Sequence, residues 1–440
     1  MTKKELMQKK ISAISLGCDK NKVDLEKMLG RLKDYGFSVV SEVYDADIVI
    51  VNTCAFIQPA QEEAIENILE MAKLKERGVI EKIIVSGCLP ERHFDDLPNN
   101  FPEVDLFLRV RENNLICQKI EELYGVEKTR PAKEGSRILT CGASYAYLKI
   151  ADGCDNFCSY CTIPRIRGRY KSAPIDELVD EAKELVKMGI KELIFVAQDT
   201  TRYGEDLYGE NKLIELCQKL CKIKELKWIR LHYLYPEKVS EELLDFIDKN
   251  EKMCKYLDIP LQHIDEDILK SMKRRIGEND TYKLIDLIKT KYPNFALRST
   301  FIVGYPGESG AKFRKLLKFI EWAQFDFAGF FPYSKEPNTA SFFMDKQVLP
   351  FIKKKRANKI RKVQQKIVES KISSIIGQEM EVLVDYFDEG TGEFVAHSQN
   401  LSPTVDFGVR FVDNGNIEIS SFVTVKIYDF DGSYLKGEIL

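Results

Sequence analysis

The stretch ADGCDNFCSYCTIPRIRGR, residues 151–169, contains three closely spaced cysteines, Cys154, Cys158 and Cys161. It follows the apolar run YAYLKI, which predicts a strand, so the cysteines lie on the loop after that strand. Thiolates at this spacing suit an iron–sulfur cluster, and a cubane cluster with three cysteine ligands has one iron open to a small molecule. A zinc site or three core cysteines is the alternative, and it is disfavoured because structural zinc needs a fourth ligand.

The segment around this loop predicts a partial barrel. Helical stretches separate further apolar runs, which are ELIFVA, KWIRL, KYLDIP, FALRSTFIVG and FDFAGFFPYS. Six strand–helix units are three quarters of a (β/α)8 barrel, so residues 140–372 are expected to form an open, TIM-like (β/α)6 barrel. Active sites of such barrels lie on the loops after the strands, where the three cysteines are.

The first part of the chain predicts a separate α/β domain over residues 9–125. Its apolar runs KISAISLGC, DIVIVNTC and KIIVSGC alternate with helical stretches, which indicates a parallel sheet covered on both faces. Cys18, Cys54 and Cys88 end these runs, 36 and 34 residues apart. Parallel strands end at one edge of a sheet, so the three thiols are expected to meet there. Three buried core cysteines are the alternative. The polar stretch EKTRPAKEGSR (127–137) predicts a linker.

Residues 374–440 predict a small antiparallel β-barrel of about five strands, similar to nucleic-acid-binding OB-like barrels. Over 378–440 there are twelve acidic and three basic residues, a net charge of −9. Such a charge repels phosphates and attracts a basic protein, through surface acids such as Asp385, Asp388 and Glu389. The helical stretch at 346–371 is basic, so its charge is opposite to that of the barrel and suits contact with RNA. The alternative is an ordinary solvent-exposed charged helix, which is the commoner case.

The whole chain has a net charge of −3, no signal peptide and no run long enough to span a bilayer. A cytoplasmic protein without disulfides is therefore expected. We expect packing roles for the five other cysteines, which are Cys117, Cys141, Cys217, Cys221 and Cys254.

The CxxxCxxC loop after the first strand of a six-unit barrel resembles the radical S-adenosylmethionine (SAM) superfamily. The resemblance implies that SAM chelates the open iron and is cleaved to a carbon radical by an electron from the cluster. It also implies SAM or substrate contacts at the ends of later strands. The candidates are Gln198, Asp199 and Thr200 after the second strand, Gln262 and His263 after the fourth, and Arg298, Thr300 and Gly304 on the fifth. The alternatives are a structural ion pair for Arg298 and a hydrogen-bonded loop histidine for His263.

The motifs SLGCDKNKVDLE, VNTCAFIQPAQEEA and SGCLPERH resemble the N-terminal motifs of the methylthiotransferase family. The resemblance implies a second 4Fe–4S cluster on Cys18, Cys54 and Cys88, and a TRAM domain at the C-terminus. The sequence departs from the family pattern at Leu25, where Ser is usual, and at KEPNTASF (335–342). Neither departure removes a cysteine ligand.

The family divides by substrate. NTCAFI and GCLPER resemble the subgroup that methylthiolates the β-carbon of an aspartate in ribosomal protein uS12, free or in the small subunit. The charge of the acidic barrel independently favours such a basic protein as the substrate. The implied partners also include a sulfur source and an electron donor such as flavodoxin or ferredoxin. A transfer-RNA adenosine methylthiotransferase is the alternative. An iron–sulfur electron carrier or redox sensor is an alternative of another class.

Overall fold

The computed structural model describes residues 2–126, 136–412 and 417–440. Residues 127–135 of the predicted linker and Asp413 lie outside the described residues. The chain divides into two compact units. The N-terminal unit contains Met1–Thr140, Asp152–Asp155 and Cys161–Arg169, and the larger unit contains Cys141–Ala151, Asn156–Tyr160 and Tyr170–Leu440. The domain limits 9–125, 140–372 and 374–440 stay a prediction.

The N-terminal unit is built on a five-stranded parallel sheet in the order β2-β1-β3-β4-β5. Alternate residues of β3 and β4 enter two different hydrophobic cores, Val49 and Val51 on one face and Ile48 and Ile50 on the other. The predicted sheet, buried on both faces, is therefore confirmed, and two strands are added at its edges. The strands are β1 (Lys10–Ser15), β2 (Ser38–Val39), β3 (Ile48–Thr53), β4 (Lys82–Gly87) and β5 (Leu106–Arg109). The helices are α1 (Lys3–Leu6), α2 (Asp19–Tyr35), α3 (Gln58–Glu76), α4 (Cys88–His93), α5 (Leu97–Asn100), α6 (Ile116–Leu123) and α7 (Ile163–Ile166).

The larger unit begins with the six predicted barrel strands, in two parallel sheets ordered β10-β9-β6 and β11-β12-β13. A single bridge between Ile229 and Met253 replaces a full ladder between the two sheets, so the partial barrel is interrupted there. The strands are β6 (Tyr145–Lys149), β9 (Glu192–Val196), β10 (Trp228–Leu231), β11 (Tyr256–Asp258), β12 (Ala296–Val303) and β13 (Phe327–Pro332), with the short strand β8 (Lys171–Ser172). The short strand β7 (Ala151–Asp152) has one residue in each unit. The helices are α8 (Ile175–Lys187), α9 (Glu205–Tyr208), α10 (Leu213–Cys221), α11 (Glu241–Lys249), α12 (Glu266–Ser271), α13 (Glu278–Lys291), α14 (Gly310–Ala323) and α15 (Pro350–Ile375).

The C-terminal segment forms a closed five-stranded barrel in the order β14-β15-β16-β18-β17. Four of its pairings are antiparallel as predicted, but β16 and β18 pair in parallel, which closes the barrel. Its core includes Ile372 from the end of α15, so this long helix is anchored in the small barrel. The strands are β14 (Glu379–Asp388), β15 (Glu393–His397), β16 (Gly408–Phe411), β17 (Phe422–Phe430) and β18 (Tyr434–Ile439).

Across the described residues, no helix combines the length and apolar character needed to cross a membrane.

Candidate active site

Three cysteines lie at one edge of the N-terminal sheet, as predicted. Strands β1, β3 and β4 are direct neighbours, and Cys18, Cys54 and Cys88 follow their carboxyl ends. Burial is the main effect that raises the pKa of Cys54 and of Cys88. Cys18 adds to the rise at Cys54, and Cys18 and Cys54 both add to the rise at Cys88, so the three thiols interact electrostatically. Cys18 is also the N-cap residue of α2.

Two glycines allow the strand ends to approach each other. Gly17 has a φ of +96°, and a Cβ there would lie 2.8 Å from the Cβ of Cys54. Gly87 has a φ of +93°, and a Cβ there would lie 2.5 Å from the carbonyl oxygen of Thr53. Any other residue at these positions would be strained and would clash, so the glycines next to Cys18 and Cys88 hold open the space between the thiols.

A buried arginine faces this cysteine set, and sequence reasoning did not find it. Arg167 donates from Nη2 to the sulfur of Cys88 at 3.5 Å and to Asn21 Oδ1 at 3.0 Å. It also forms ion pairs with Asp24 and Asp152. Burial raises the pKa of the Cys88 thiol to about 12, and the Arg167 guanidinium opposes part of that shift. Arg167 therefore favours the negative charge that a metal-bound sulfur carries.

These residues fit an iron–sulfur cluster. Three converging thiols and a buried cation suit an anionic cluster, and the two glycines leave room beside the sulfurs. In the described part of the chain, no group of three or more acidic, Cys or His side chains is arranged to hold one metal ion. A cubane does not require such a group, because each cysteine binds a different iron.

The loop with the second cysteine set is divided between the units, and each part is described with its own unit. In the N-terminal unit, the Cys154 amide donates to the carbonyl of Gly168 at 3.1 Å. Gly153 precedes it with a φ of +75°, and a Cβ there would lie 2.1 Å from the carbonyl oxygen of Arg169. This close backbone approach requires glycine and fixes the start of the loop.

In the larger unit, Cys158 lies against Tyr235 and Arg274, two further residues that the sequence did not reveal. The Cys158 sulfur is 3.2 Å from Tyr235 Oη and accepts from Arg274 Nη1 at 4.0 Å. The guanidinium stacks 4.1 Å from the centre of the Tyr235 ring and donates to the Pro260 carbonyl at 2.8 Å. Arg274 is 6% exposed, and its Nε has no hydrogen-bond partner within the described residues. A buried cation and a hydroxyl thus face this thiol, which fits an anionic cluster.

The end of strand β9 positions the cysteine loop. Asp199 accepts from Asn156 Nδ2 at 2.8 Å and from Thr201 Oγ1 at 2.6 Å, so it holds the residue two positions after Cys154. Burial raises the pKa of Asp199, and these hydrogen bonds oppose the shift. The neighbouring Thr200 is fully buried, and its hydroxyl has no hydrogen-bond partner within the described residues. An unsatisfied buried hydroxyl here fits a polar ligand such as SAM.

Three residues other than glycine have strained backbone conformations on the loops at this end of the barrel. Gln262 follows β11 with a φ of 72°, Tyr233 follows β10 with a φ of 59°, and Phe157 on the cysteine loop has a φ of 48°. These left-handed conformations are unfavourable for residues other than glycine and occur preferentially at functional sites. Strain at these positions supports placing the site at this end of the barrel.

Comparison with known families agrees with the three segments. Residues 10–109 match UPF0004, described as an uncharacterized protein family, 148–320 match the radical SAM superfamily, and 376–440 match the TRAM domain.

Relatives that match over their full length identify the family more narrowly than these three domain matches do. The chain is 40% identical over 433 residues to ribosomal protein uS12 methylthiotransferase RimO of Alkaliphilus oremlandii, covering 98% of each protein. It is 41% identical over 435 residues to RimO of Elusimicrobium minutum, covering 98% of this chain and 100% of the relative. It is 40% identical over 449 residues to RimO of Acetivibrio thermocellus, covering 99% of each.

The chain belongs to the uS12 methylthiotransferase family.

Solved structures agree with this fold. The methylthiotransferase chain is similar to the radical SAM methyltransferase TsrM of Kitasatospora setae, with a TM-score of 0.57, 15% identity, and coverage of 76% of this chain and 74% of TsrM. It is also similar to the cobalamin-dependent radical SAM enzyme OxsB, with a TM-score of 0.51, 11% identity, and coverage of 83% and 57%. At these identities the likeness shows the fold alone.

Several predicted SAM contacts of the methylthiotransferase have structural partners. Arg298 pairs with Asp258 at 3.1 Å and with Asp406 of the C-terminal barrel at 3.5 Å. His263 is buried and pairs with Glu308 at 3.3 Å, and the same carboxylate accepts from the Gly304 amide at 2.9 Å. Protein contacts therefore already engage these three residues, while the Nε of Arg298 has no hydrogen-bond partner within the described residues.

The remaining predicted contacts lie on the same strands. Gln262 donates its amide to the carbonyl of Thr300 at 2.8 Å, which joins the strained residue to β12. Gln198 follows β9 and is partly buried. A SAM role for Gln198, Asp199, Gln262, Arg298, Thr300 and Gly304 stays a prediction in this methylthiotransferase.

Proposed function

We propose that this methylthiotransferase inserts a methylthio group at the β-carbon of an aspartate in ribosomal protein uS12, by radical chemistry that uses SAM and two 4Fe–4S clusters. The observation that carries the proposal is the convergence of Cys18, Cys54 and Cys88 at one sheet edge, in a chain that has a second cysteine set on its barrel loop. An electron carrier or redox sensor does not explain the strained barrel loops or the buried Thr200 hydroxyl.

The two cysteine sets would each hold one of the two clusters. Cys154, Cys158 and Cys161 would hold one cluster, and Cys18, Cys54 and Cys88 the other. When bound, the clusters and SAM supply the radical that removes hydrogen from the substrate and the methylated sulfur that replaces it. Arg274 and Tyr235 place positive charge and a hydrogen-bond donor beside Cys158, and Arg167 does the same for Cys88.

The negative charge of the C-terminal barrel supports uS12, a basic protein, as the substrate. Its exposed acids Glu381, Glu389 and Glu418 form no ion pair within the described residues, so their charge is available to a basic partner. Asp385, predicted to lie on this surface, is instead buried and pairs with His397 at 2.8 Å, and Asp388 pairs with Arg410 at 2.9 Å. Recognition of uS12 therefore depends on a smaller set of acids than the sequence suggested. The same charge opposes the transfer-RNA alternative.

Further partners follow from the chemistry. The reaction needs an electron, for which a flavodoxin or ferredoxin is the proposed donor, and a sulfur source. We place the enzyme in the cytoplasm, where thiols stay reduced and can bind iron.

The function is tested by incubating anaerobically reconstituted, reduced protein with SAM and purified uS12. Mass spectrometry should show one methylthio group on an aspartate, together with 5′-deoxyadenosine in solution. Cleavage of SAM with modification of transfer RNA and not of uS12 would establish the alternative substrate. Absence of 5′-deoxyadenosine would contradict radical SAM chemistry altogether.

A further inference from the structure

One face of helix α15 carries a stripe of four lysines, Lys355, Lys359, Lys362 and Lys366, which we call the lysine stripe. Their spacing of four, three and four residues places them within about 60° around the helix and along about 16 Å of its axis. All four are exposed. The stripe is long enough to face several phosphates of a nucleic-acid backbone.

The rest of helix α15 packs on the side opposite the lysine stripe. The side buried against the barrel and the small barrel carries Ala357, Ile360, Gln364 and Ile367, about half a turn away from the stripe. Other basic residues of α15 are used in packing, since Arg356 pairs with Glu308 and Lys371 with Asp326. Within residues 2–126, 136–412 and 417–440, no lysine of the stripe has a carboxylate at ion-pair distance.

The stripe differs from the other solvent-facing helices of the same unit. Exposed lysines there pair with acids three or four residues earlier, as Lys183 does with Asp180 at 2.8 Å and Lys249 with Asp245 at 3.0 Å. Such alternation makes a solvated helix surface neutral and stable. In α15, nine basic residues accompany one acid, Glu369, and the lysines of the stripe are neighbours of like charge. Like charges at this spacing destabilise a helix, so an ordinary solvated surface does not account for the arrangement.

We propose that the lysine stripe binds the phosphate backbone of RNA. The identity of that RNA rests on the proposed function, because a ribosomal protein in its assembled state is surrounded by ribosomal RNA. The larger unit then carries two recognition surfaces of opposite charge, an acidic barrel for the basic protein and a basic helix for the phosphates beside it. The enzyme is thereby adapted to uS12 in the assembled small subunit in preference to the free protein.

The test compares two quadruple variants of the full chain. Lys355→Gln, Lys359→Gln, Lys362→Gln and Lys366→Gln removes the stripe and keeps good helix formers. Lys183→Gln, Lys187→Gln, Lys249→Gln and Lys283→Gln removes the same charge from lysines that are exposed and paired. Binding to purified small ribosomal subunits, to protein-free small-subunit RNA and to free uS12 is measured from 50 to 200 mM salt.

Loss of four phosphate contacts should reduce the slope of log affinity against log salt by about three. The fall in affinity between those salt concentrations should then be roughly 60-fold smaller than in the wild type. We expect this change for subunits and RNA in the stripe variant only, with unchanged binding of free uS12 and unchanged methylthiolation of free uS12. Retention of wild-type affinity and slope for RNA by the stripe variant would overturn the inference. Binding to anionic phosphatidylglycerol vesicles is measured in parallel, and a loss of affinity confined to these vesicles would also overturn the inference. Failure of uS12 modification in the wild type would contradict the proposed function, while the RNA slopes would still decide the role of the stripe.

Discussion

At the scale of single residues, each cysteine set is paired with a buried arginine. Arg167 contacts Cys88 and is balanced by Asp24 and Asp152, whereas Arg274 contacts Cys158 and forms no ion pair with a carboxylate within the described residues. A cluster on three thiolates is negatively charged, and hydrogen bonds to its sulfurs and nearby charge set its reduction potential. The unbalanced charge of Arg274 should make the barrel cluster easier to reduce.

Arg274→Gln should therefore lower the reduction potential of the barrel cluster. A charge-assisted hydrogen bond is worth about 1.5 kcal/mol, which is about 60 mV for one electron, and the 4.0 Å contact to sulfur makes tens of millivolts the realistic size. An EPR-monitored redox titration measures it. The neighbouring exposed Arg275→Gln is the matched control and should leave the potential unchanged. An unchanged potential in Arg274→Gln with full iron content would assign Arg274 to packing alone.

The cysteine sets are separable by iron content. Wild type should bind about eight irons after anaerobic reconstitution, and replacing Cys154, Cys158 and Cys161 with Ala should leave about four. Iron analysis and EPR test this. A wild type that never exceeds four irons would disprove the second cluster.

Replacing Cys18, Cys54 and Cys88 with Ala should abolish methylthio transfer and spare part of the SAM cleavage, because the cleavage belongs to the barrel set. Both products are measured in the same reaction. Methylthiolated uS12 from this variant would show that the N-terminal cysteines are only structural.

At the scale of elements, a buried charged network joins the small barrel to the partial barrel. His397 of β15 lies between Glu192 of β9, at 2.5 Å, and Asp385 of β14, at 2.8 Å. Arg230 of β10 also pairs with Glu192, at 2.7 Å, and donates to the backbone carbonyl of Gln399 at 2.8 Å. Buried ion pairs are costly to break because a single partner is left unpaired, so this network fixes the contact between the two barrels.

The network predicts a loss of stability at high pH. Burial alone would lower the pKa of His397, but Asp385 and Glu192 raise it from 6.5 to about 9. A raised pKa stabilises the folded state below pH 6.5, and this contribution, roughly 3 kcal/mol, is lost as pH rises through 9. Urea unfolding of wild type between pH 6.5 and 9.5 should show the decline, and His397→Gln should be less stable at pH 6.5 with a flatter profile. Equal slopes in both proteins would contradict the assignment.

At the scale of the whole molecule, charge is distributed unevenly although the net charge is only −3. The small barrel carries −9 over residues 378–440, while the α15 helix carries nine bases and one acid. Both surfaces belong to the larger unit, and exposed charges act over about 8 Å at physiological salt. Net charge alone therefore says little about the partners of this chain.

Reversing Glu381, Glu389 and Glu418 to Lys should slow association with uS12 and reduce its salt dependence, as exposed charges at an interface rim do. SAM cleavage and iron content should not change. Stopped-flow binding tests the rate, and the control is the same reversal at Glu63, Glu66 and Glu70, which are exposed on α3. Association that is indifferent to salt and to both sets would exclude electrostatic recognition by the small barrel.

The features that the sequence alone determined follow from local patterns of residues along the chain. The apolar runs placed the strands, and Cys18, Cys54 and Cys88 after three of them predicted their meeting, because neighbouring parallel strands end at one edge. Tertiary structure alone decided which distant side chains complete the site. Arg274 lies 116 positions from Cys158 in the sequence. Asp385, which the sequence predicted at the surface, is buried and pairs with His397. Such contacts form only when packed helices and strands bring residues together that are distant in sequence. The spacing of residues along the chain therefore does not predict them.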